Sequence, residues 1–399
     1  MAKLSVQKRR FLTDLQQRFI EMLHWEGQLD TPGLEDAFRT IPRHLFVDQY
    51  FHGGPAKPRR VRVDPLNPTK TQLKRVYSNA AVQTDRPPAA SSTSQPALVA
   101  RMLGHLGLQH GMRVLEIGAG TGWNAGLMAH LVGAGGSVVS VELEAEVSRR
   151  ARRGLRRAGI RNARVITADG AKGHQRSAPF DRIVTTVGVP DIFPAWVDQL
   201  DEDGVLLATL QAVPHGPSCL LTRFEKHADH LSGEVVGTTW FIPFRGKHGR
   251  AGGEEDQQRR LDMAKSRRKG RTRLAPWICL HPSARGGRLG DLLFFAHLRG
   301  LGVEQIGREI LISAPHVDGA CVADHESLAV YGDEAVYDAL EASTGLWLEA
   351  GSPTRSDYRL EVWPKGADRS RPREGWLLQR KHSQLAVRLE PRTKRRRGR

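Results

Sequence analysis

Thiol chemistry is nearly missing from this chain. It holds three cysteines in 399 residues, Cys219, Cys279 and Cys321, and no two of them form a C-x-x-C pair. That spacing argues against a disulfide framework and a thiolate zinc site, and leaves a reducing, cytoplasmic setting as the expectation. Long apolar runs are missing too: none approaches the roughly 20 residues that a bilayer span needs. The opening MAKLSVQKRRFLTDLQQRFIEML is interrupted by charge and has no small-residue cleavage site, so it reads as an amphipathic helix and not as a secretory leader. Acid is in short supply. Lys and Arg number 60 against 43 Asp and Glu, a formal net charge of +17, which favours anionic partners. The excess gathers in RRVRV (59–63), RRARRGLRR (149–157), SRRKGRTR (266–273) and the closing TKRRRGR. A solvated surface and a basic tail account for most of it.

What is present is an alternation. Residues 1–55 read as helical, and the proline-rich, charged 56–75 as a loop. After a helix PALVARMLGHLG, short β-rich runs alternate with helical ones: MRVLEI (112–117), SVVSVEL (137–143), ARVITAD (163–169), DRIVTTV (181–187) and GVLLATL (204–210). That order predicts an α/β fold, a doubly wound and mostly parallel Rossmann-like sheet. SCLLTRF and EVVGTTWFIPF would close it with an antiparallel edge. The polar, glycine-bearing 246–274 reads as a flexible basic linker with room for one helix. Residues 275–390 regain hydrophobicity, with Trp277, Trp347, Trp363 and Trp376, and are expected to form a smaller α+β domain before the basic tail 391–399.

The sharpest signal is VLEIGAGTGWNAG. A strand ends in Glu116, and Gly118, Gly120 and Gly122 then turn the chain into a helix, where glycine lets the backbone approach a ligand closely. Alone the motif is weak and shared with dinucleotide-binding loops. Glu142 ends the next strand, 20 positions after Gly122, where a carboxylate can bond ribose hydroxyls. Asp169-Gly170 ends the third strand, where an acid can accept from an adenine amine. This order resembles class I S-adenosylmethionine-dependent methyltransferases more than hydride-transfer enzymes, since Asn124 and Ala125 follow Gly122 in place of the nicotinamide pattern. Glu116 reads either as a ligand group or as a brace for the glycine loop.

The wider text narrows the class. TTVGVPDIF (185–193) carries no N/D-P-P-Y/F clamp for a flipped base, and no cysteine precedes Cys219 to serve cytosine C5 chemistry. IPRHLFV (41–47), VYSNAAV (76–82), TSQPALVA (93–100), VVSVELEAEV, ITADGAKG (166–173) and FDRIVTTVGVPDIFPAWVDQL together resemble the protein-L-isoaspartate O-methyltransferase family over about residues 15–245. The resemblance implies S-adenosylmethionine as cofactor, a protein or peptide substrate bearing an isoaspartyl or aspartyl residue, and a methyltransferase domain at 76–245. It places the substrate contact at Ser94, with Ser92 two residues earlier. The chain departs from the family where Gln83-Thr84-Asp85-Arg86-Pro87-Pro88 and the serine-rich SSTS replace the usual G-x-G-Q-T-I-S loop. Such a variant, with a long C-terminal region, resembles members associated with ribosomal peptide maturation, which would make an aspartimide.

The hydroxyls have a second explanation. Ser92-Thr93-Ser94-Gln95 satisfies S-x-x-Q, a capping box, ahead of Pro96 in a first helical turn. One serine suffices for that, so Ser92 is expected to cap and Ser94 to face the reacting carboxylate. Nothing after residue 275 offers a catalytic constellation. His316, Asp318, Asp324 and His325 read as scattered surface groups and not as a metal site, and the region is expected to recognise a partner or an acidic peptide. A nucleic-acid-binding protein that retains a methyltransferase fold is the competing class, since the terminal basic run could add nonspecific affinity.

Overall fold

The computed structural model describes residues 5–53, 58–86, 90–213, 218–246, 254–267, 269–274, 282–306, 309–323, 327–367 and 375–390. The chain divides into two compact units, Met1–Val187 with Ala195–Leu207, and Gly188–Pro194 with Ala208–Arg399.

In the first unit, helix α1 (Val6–Trp25) starts at Ser5, whose hydroxyl accepts from the Lys8 amide, and buries Phe19, Ile20 and Leu23. Helix α2 (Leu34–Thr40) and a 3-10 turn (Arg43–Phe46) follow. The expectation of helix to 55 and loop to 75 is corrected here. Strands β1 (Gln49–His52) and β2 (Arg59–Arg62) pair as a hairpin, and α3 (Lys70–Val76) is a helix closed by a Thr69–Gln72 capping box. Thr69-x-x-Gln72 is itself a capping signature, but prolines and charges around it leave no apolar period to accompany it. A second hairpin pairs β3 (Val82–Asp85) with β4 (Ser91–Thr93) and leads into α4 (Pro96–Leu106).

The alternating core then runs β5 (Arg113–Ile117), α5 (Trp123–Val132), β6 (Ser137–Glu142), α6 (Ala145–Arg157), β7 (Ala163–Thr167), β8 (Phe180–Thr185), α7 (Pro194–Gln199) and β9 (Leu200–Gln211). All neighbouring pairs in the order β7-β6-β5-β8-β9 are parallel. Continuous apolar runs make these strands, because a parallel sheet is covered on both faces. Successive strands step outward from β5 on one side through β6 and β7, and the chain then returns to β8 on the other. The carboxyl ends of β5 and β8 therefore flank a topological switch point, where open α/β sheets bind ligands.

In the second unit, β10 (Ser218–Lys226), β11 (Leu231–Trp240), α8 (Glu254–Ser266), β12 (Lys269–Leu274), α9 (Pro282–Leu298), β13 (Gly302–Ile306), β14 (Glu309–Ser313), β15 (Gly319–Ala323), β16 (Ser327–Gly332), α10 (Ala335–Glu349), β17 (Tyr358–Pro364), β18 (Trp376–Gln379) and β19 (Ser383–Leu389) follow in turn. Strands β12 to β16 form an antiparallel sheet over a core that includes Leu292, Ile312, Cys321, Leu328, Val330 and Trp347. Two boundaries read from the sequence are thereby corrected. The expected linker 246–274 contains α8 and β12, and β12 pairs with β16. Nor is β11 an edge: β17 pairs with it, and β19 and β18 extend that ladder. Strands on either side of residue 245, β11 and β17, therefore share one sheet. Trp277, Asp324, His325 and the basic tail lie outside the described residues.

The Pro42–Val47 motif explains much of the first unit's packing. Phe46, 3% exposed, lies between two helices at positions where only glycine leaves room. A Cβ on Gly154 of α6 would stand 2.6 Å from Phe46 Cδ1, and one on Gly126 of α5 would stand 3.1 Å from its Cζ. Arg43 is 1% exposed. Its guanidinium donates to the carbonyls of Val76 (2.6 Å), Ser78 (3.1 Å), Ala80 (3.1 Å), Thr93 (3.3 Å) and Ser94 (2.7 Å), and to the Thr93 hydroxyl (3.4 Å), while lying 5.0 Å over the Trp123 ring. Burial pushes its pKa down to about 9, which still leaves a cation at neutral pH. His44 Nδ1 shares a 2.8 Å hydrogen bond with the Tyr77 hydroxyl, and burial pushes its pKa down to about 4.

Two outcomes follow from this packing. Gly154→Ala, normally worth about 1 kcal/mol to a helix, should here destabilise by about 1–3 kcal/mol through overpacking on Phe46, which urea denaturation measures. His44 is neutral in the fold but takes a proton near pH 6.5 when unfolded. Its contribution is complete above that value and disappears as pH falls towards about 4, a loss of up to ~3 kcal/mol. Denaturation of wild type and His44→Asn between neutrality and that lower limit should show the smaller pH slope in the variant.

Candidate functional site

The glycine loop at the end of β5 is fixed from three sides. Gly118, Gly120 and Gly122 all have positive φ, at 102°, 52° and 83°. The Gly118 amide donates to Val141 O at 2.8 Å, and the Thr186 hydroxyl, just past β8, donates to Gly118 O at 2.6 Å. A Cβ on Gly118 would stand 2.8 Å from Val187 Cγ1, and one on Gly122 would press on Ala151 of α6 at 3.1 Å. Glu142, 7% exposed, accepts from the Gly120 amide at 3.0 Å and the Glu144 amide at 3.1 Å. That carboxylate therefore stands at the loop, at the position the sequence spacing indicates.

Glu116 is fully buried, with its two oxygens accepting from Asn124 Nδ2 (2.7 Å) and Ser140 Oγ (2.6 Å). It ties the start of α5 to β6, the bracing role. Burial raises its pKa to about 7, with the nearby Glu142 charge adding to the rise against those two hydrogen bonds. Asp169, half-buried after β7, accepts from the Ala171 amide at 3.0 Å, and Gly170 O accepts from Trp196 Nε1 at 2.8 Å.

The serine stretch meets this loop. A Cβ on Gly120 would lie 3.0 Å from Ser92 O and 3.7 Å from Ser91 Oγ. Residues far apart in sequence, 91–92 and 120, are thus in contact at the carboxyl end of β5. The expected cap on Ser92 is a correction: Ser92 lies in β4 opposite Gln83, the N-cap of α4 is Gln95, and Gln95 makes no side-chain cap bond. The α4 terminus is instead served by Asn79, whose Oδ1 accepts from the Ala97 amide at 3.2 Å. With the capping job done elsewhere, the half-buried side chains of Ser92 and Ser94 are not accounted for by helix termination.

Several residues that hold the site escape sequence reasoning. Arg43 fixes Thr93 and Ser94 by their carbonyls. Arg150 of α6 pairs with Asp85, at 14% and 13% side-chain exposure, and Asp85 also accepts from Gln49. Arg150 is chain neighbour to Ala151, so one turn of α6 braces both Gly122 and the β3–β4 hairpin. The sequence signals were faint: a lone arginine in apolar IPRHLFV, and one acid in a departed loop.

An α/β sheet with a glycine loop at its switch point, an acid ending β6 and an acid after β7 defines a class I methyltransferase-type domain. The profile of the protein-L-isoaspartate(D-aspartate) O-methyltransferase family matches residues 14–249, and the chain belongs to that family, whose cofactor is S-adenosylmethionine. Protein-L-isoaspartate O-methyltransferase of Pyrococcus horikoshii is 34% identical over 232 residues, 58% of this chain and 93% of that one. Protein-L-isoaspartate O-methyltransferase 2 of Archaeoglobus fulgidus is 32% identical over 236 residues, 58% and 94% respectively. A solved structure titled protein-L-isoaspartate O-methyltransferase aligns with TM-score 0.50 and 25% identity, covering 87% of this chain and 96% of that chain. That share exceeds what residues 1–249 could supply, so the likeness extends into the region past the family profile.

The brace on the hairpin is testable as a pair. Asp85→Asn and Arg150→Met should each destabilise, and their double-mutant cycle should show a coupling of about 1–3 kcal/mol, as for a largely buried ion pair. Chemical denaturation of the four proteins measures it; additive losses would show that the two groups act independently.

Proposed function

We propose that this chain transfers a methyl group from S-adenosylmethionine to the side-chain carboxylate of an isoaspartyl residue in a protein or peptide. Support comes from the contact of the serine hairpin with the glycine loop, which brings a cofactor-type loop and a hydroxyl-bearing strand to one place. The loop suits the cofactor: Gly118, Gly120 and Gly122 hold positive φ in a tight turn at the carboxyl end of β5, beside the Glu142 carboxylate, and a Cβ on them would stand 2.8, 3.0 and 3.1 Å from neighbouring protein atoms. Glu142 and Asp169 would serve the ribose and the adenine, and Gly170 the adenine edge. Bound there, the cofactor supplies a methyl group on a positive sulfonium.

The chain's own task is then alignment. A carboxyl group with a pKa of about 3.9 is already ionised at neutral pH, so no general base is needed. Opposite charges cancel as the methyl moves, and exclusion of water with correct orientation carries the rate. Hydroxyls of Ser94 and Ser92 orient a carboxylate without locking it as a lysine or arginine pair would. Methyl esterification gives the carboxyl a better leaving group, so the following backbone nitrogen can close a succinimide and expel methanol. An aspartyl substrate would yield the same ring, as in peptide maturation; the Gln83–Pro88 departure beside the serines is the feature that favours it.

The nucleic-acid reading loses its basic helix. Along α6, Arg149 and Arg150 pair with acids, Arg152 donates to Val165 O and Thr167 Oγ1, Arg153 pairs with Asp48, and Arg157 donates to Leu45 O. These arginines fasten chain segments. Among the described residues, no helix is long and apolar enough to cross a membrane, and no group of three or more His, Cys, Asp or Glu is placed to hold a metal.

Incubation with S-adenosylmethionine and matched isoaspartyl and aspartyl peptides, followed by mass spectrometry, should show the methyl ester and the imide from the isoaspartyl peptide. Turnover of the aspartyl peptide alone would identify the maturation chemistry, and turnover of neither would overturn both. Ser94→Ala should lower kcat with little change in cofactor affinity. Asp169→Ala should weaken cofactor binding about tenfold or more by calorimetry.

A further inference from the structure

The arginines of the first unit divide into two sets. Those of α6 named above are engaged by acids and carbonyls of the fold. The β1–β2 hairpin is different. Arg59, Arg60 and Arg62 of β2 are exposed, and among the described residues none of their guanidinium groups has a hydrogen-bond or ion-pair partner. The two acids that bracket the hairpin are occupied elsewhere: Asp48 faces Arg150 and Arg153, and Asp64 accepts from the Leu66 amide at 3.0 Å. Arg86, the residue after β3, is likewise exposed and without a partner among the described residues.

Register sets these cations beside the serine hairpin. Gln49 pairs with Arg62, Tyr50 with Val61 and Phe51 with Arg60. Tyr50 is buried, so Val61 shares the inward face, and Arg60 and Arg62 share the outward one with Gln49 and Phe51. Gln49 then bridges to the next hairpin, donating to Thr84 O at 3.0 Å and to Asp85 Oδ1 at 3.4 Å. Thr84 and Asp85 belong to β3, the partner strand of the serine strand β4. Arg62 is therefore one cross-strand step from that bridge, and Arg86 one residue along the chain from it. The planar fork of arginine matches a carboxylate bidentately. Exposed pairs of this kind are individually weak, and they contribute partner preference and encounter rate more than affinity. A peptide that presents a residue to the serines continues past this strip, so acids a few residues away meet the arginines. A nucleic acid would answer the same charge, but the α6 arginines that would extend such a surface are engaged in the fold.

We propose that Arg60 and Arg62 of β2, with Arg86 after β3, form a docking strip for acidic residues that flank the methylated residue of a peptide substrate. This rests on the methyltransferase reading above, and it gives the first unit a share in the recognition of acidic peptides that the sequence assigns to the region past residue 275.

The full chain tests it, with isoaspartyl peptides that differ only in carrying glutamate, alanine or lysine flanks. Wild type should show a KM about tenfold or more lower for glutamate flanks than for lysine flanks at low salt. Raising the salt to about 1 M should remove most of that difference. Combining Arg60→Gln, Arg62→Gln and Arg86→Gln should raise KM for the glutamate peptide about tenfold, with S-adenosylhomocysteine affinity by calorimetry within about twofold of wild type. The matching lysine substitutions, which keep the charge, should retain most of the preference, a rescue that mere loss of packing would not produce. Equal KM values for the three peptides in wild type, or an unchanged preference in the glutamine variant, would overturn the proposal. Loss of duplex RNA binding in that variant with the peptide preference intact would overturn it in favour of a nucleic-acid partner. Should wild type methylate none of the peptides, the reading of the reaction fails, and fluorescence anisotropy with the labelled glutamate peptide decides the docking role: weaker binding by the glutamine variant upholds it and equal binding overturns it.

Discussion

The site depends on a buried cation, Arg43, that meets backbone carbonyls and, among the described residues, no carboxylate. Arg43 takes its counter-charge from five backbone carbonyls and an indole face. An arginine removed from water costs several kcal/mol unless every donor is met, so the carbonyls of Val76, Ser78, Ala80, Thr93 and Ser94 are constrained to converge on one point. Those carbonyls belong to the end of α3, the segment after it, and the serine strand. The planar fork of the guanidinium suits this convergence, where lysine would offer three donors from one point.

Around that point the first unit closes a ring. The serine strand β4 touches Gly120, the glycine loop touches α6 through Gly122, and α6 returns to the hairpin through Arg150 and Asp85. Each link relies on a small residue or a charge in an unusual place. The consequence for chemistry is rigidity: a reaction that needs no proton transfer gains its rate from orientation, and orientation requires supports that do not drift. The highly basic α6 is part of this frame, with Arg150, Arg153 and Arg157 each tied to another chain segment.

The second unit is also held by pairings between residues distant in sequence. Strand β17 joins β11 across more than a hundred residues of intervening chain, and the turn that follows β18 reaches back to Asp191.

The sequence alone determined the alternation, the parallel sheet, the glycine loop and the acids at 116, 142 and 169, because these follow from local periodicity and from spacing along one βαβ path. It determined the family as well, through IPRHLFV and TSQP. It did not decide the work of those motifs. S-x-x-Q spells a helix cap, yet Ser92 pairs in a strand and Asn79, 18 positions from Ala97, completes the terminus. The stretch 246–274 is polar enough to pass for a linker, yet it supplies a helix and a strand, because a neighbouring strand can stabilise residues whose own periodicity is poor. Pairings such as β11 with β17, Arg150 with Asp85 and Arg43 with five carbonyls join residues that sequence leaves independent. Only the folded chain, which must satisfy each buried charge and carbonyl at once, selects them.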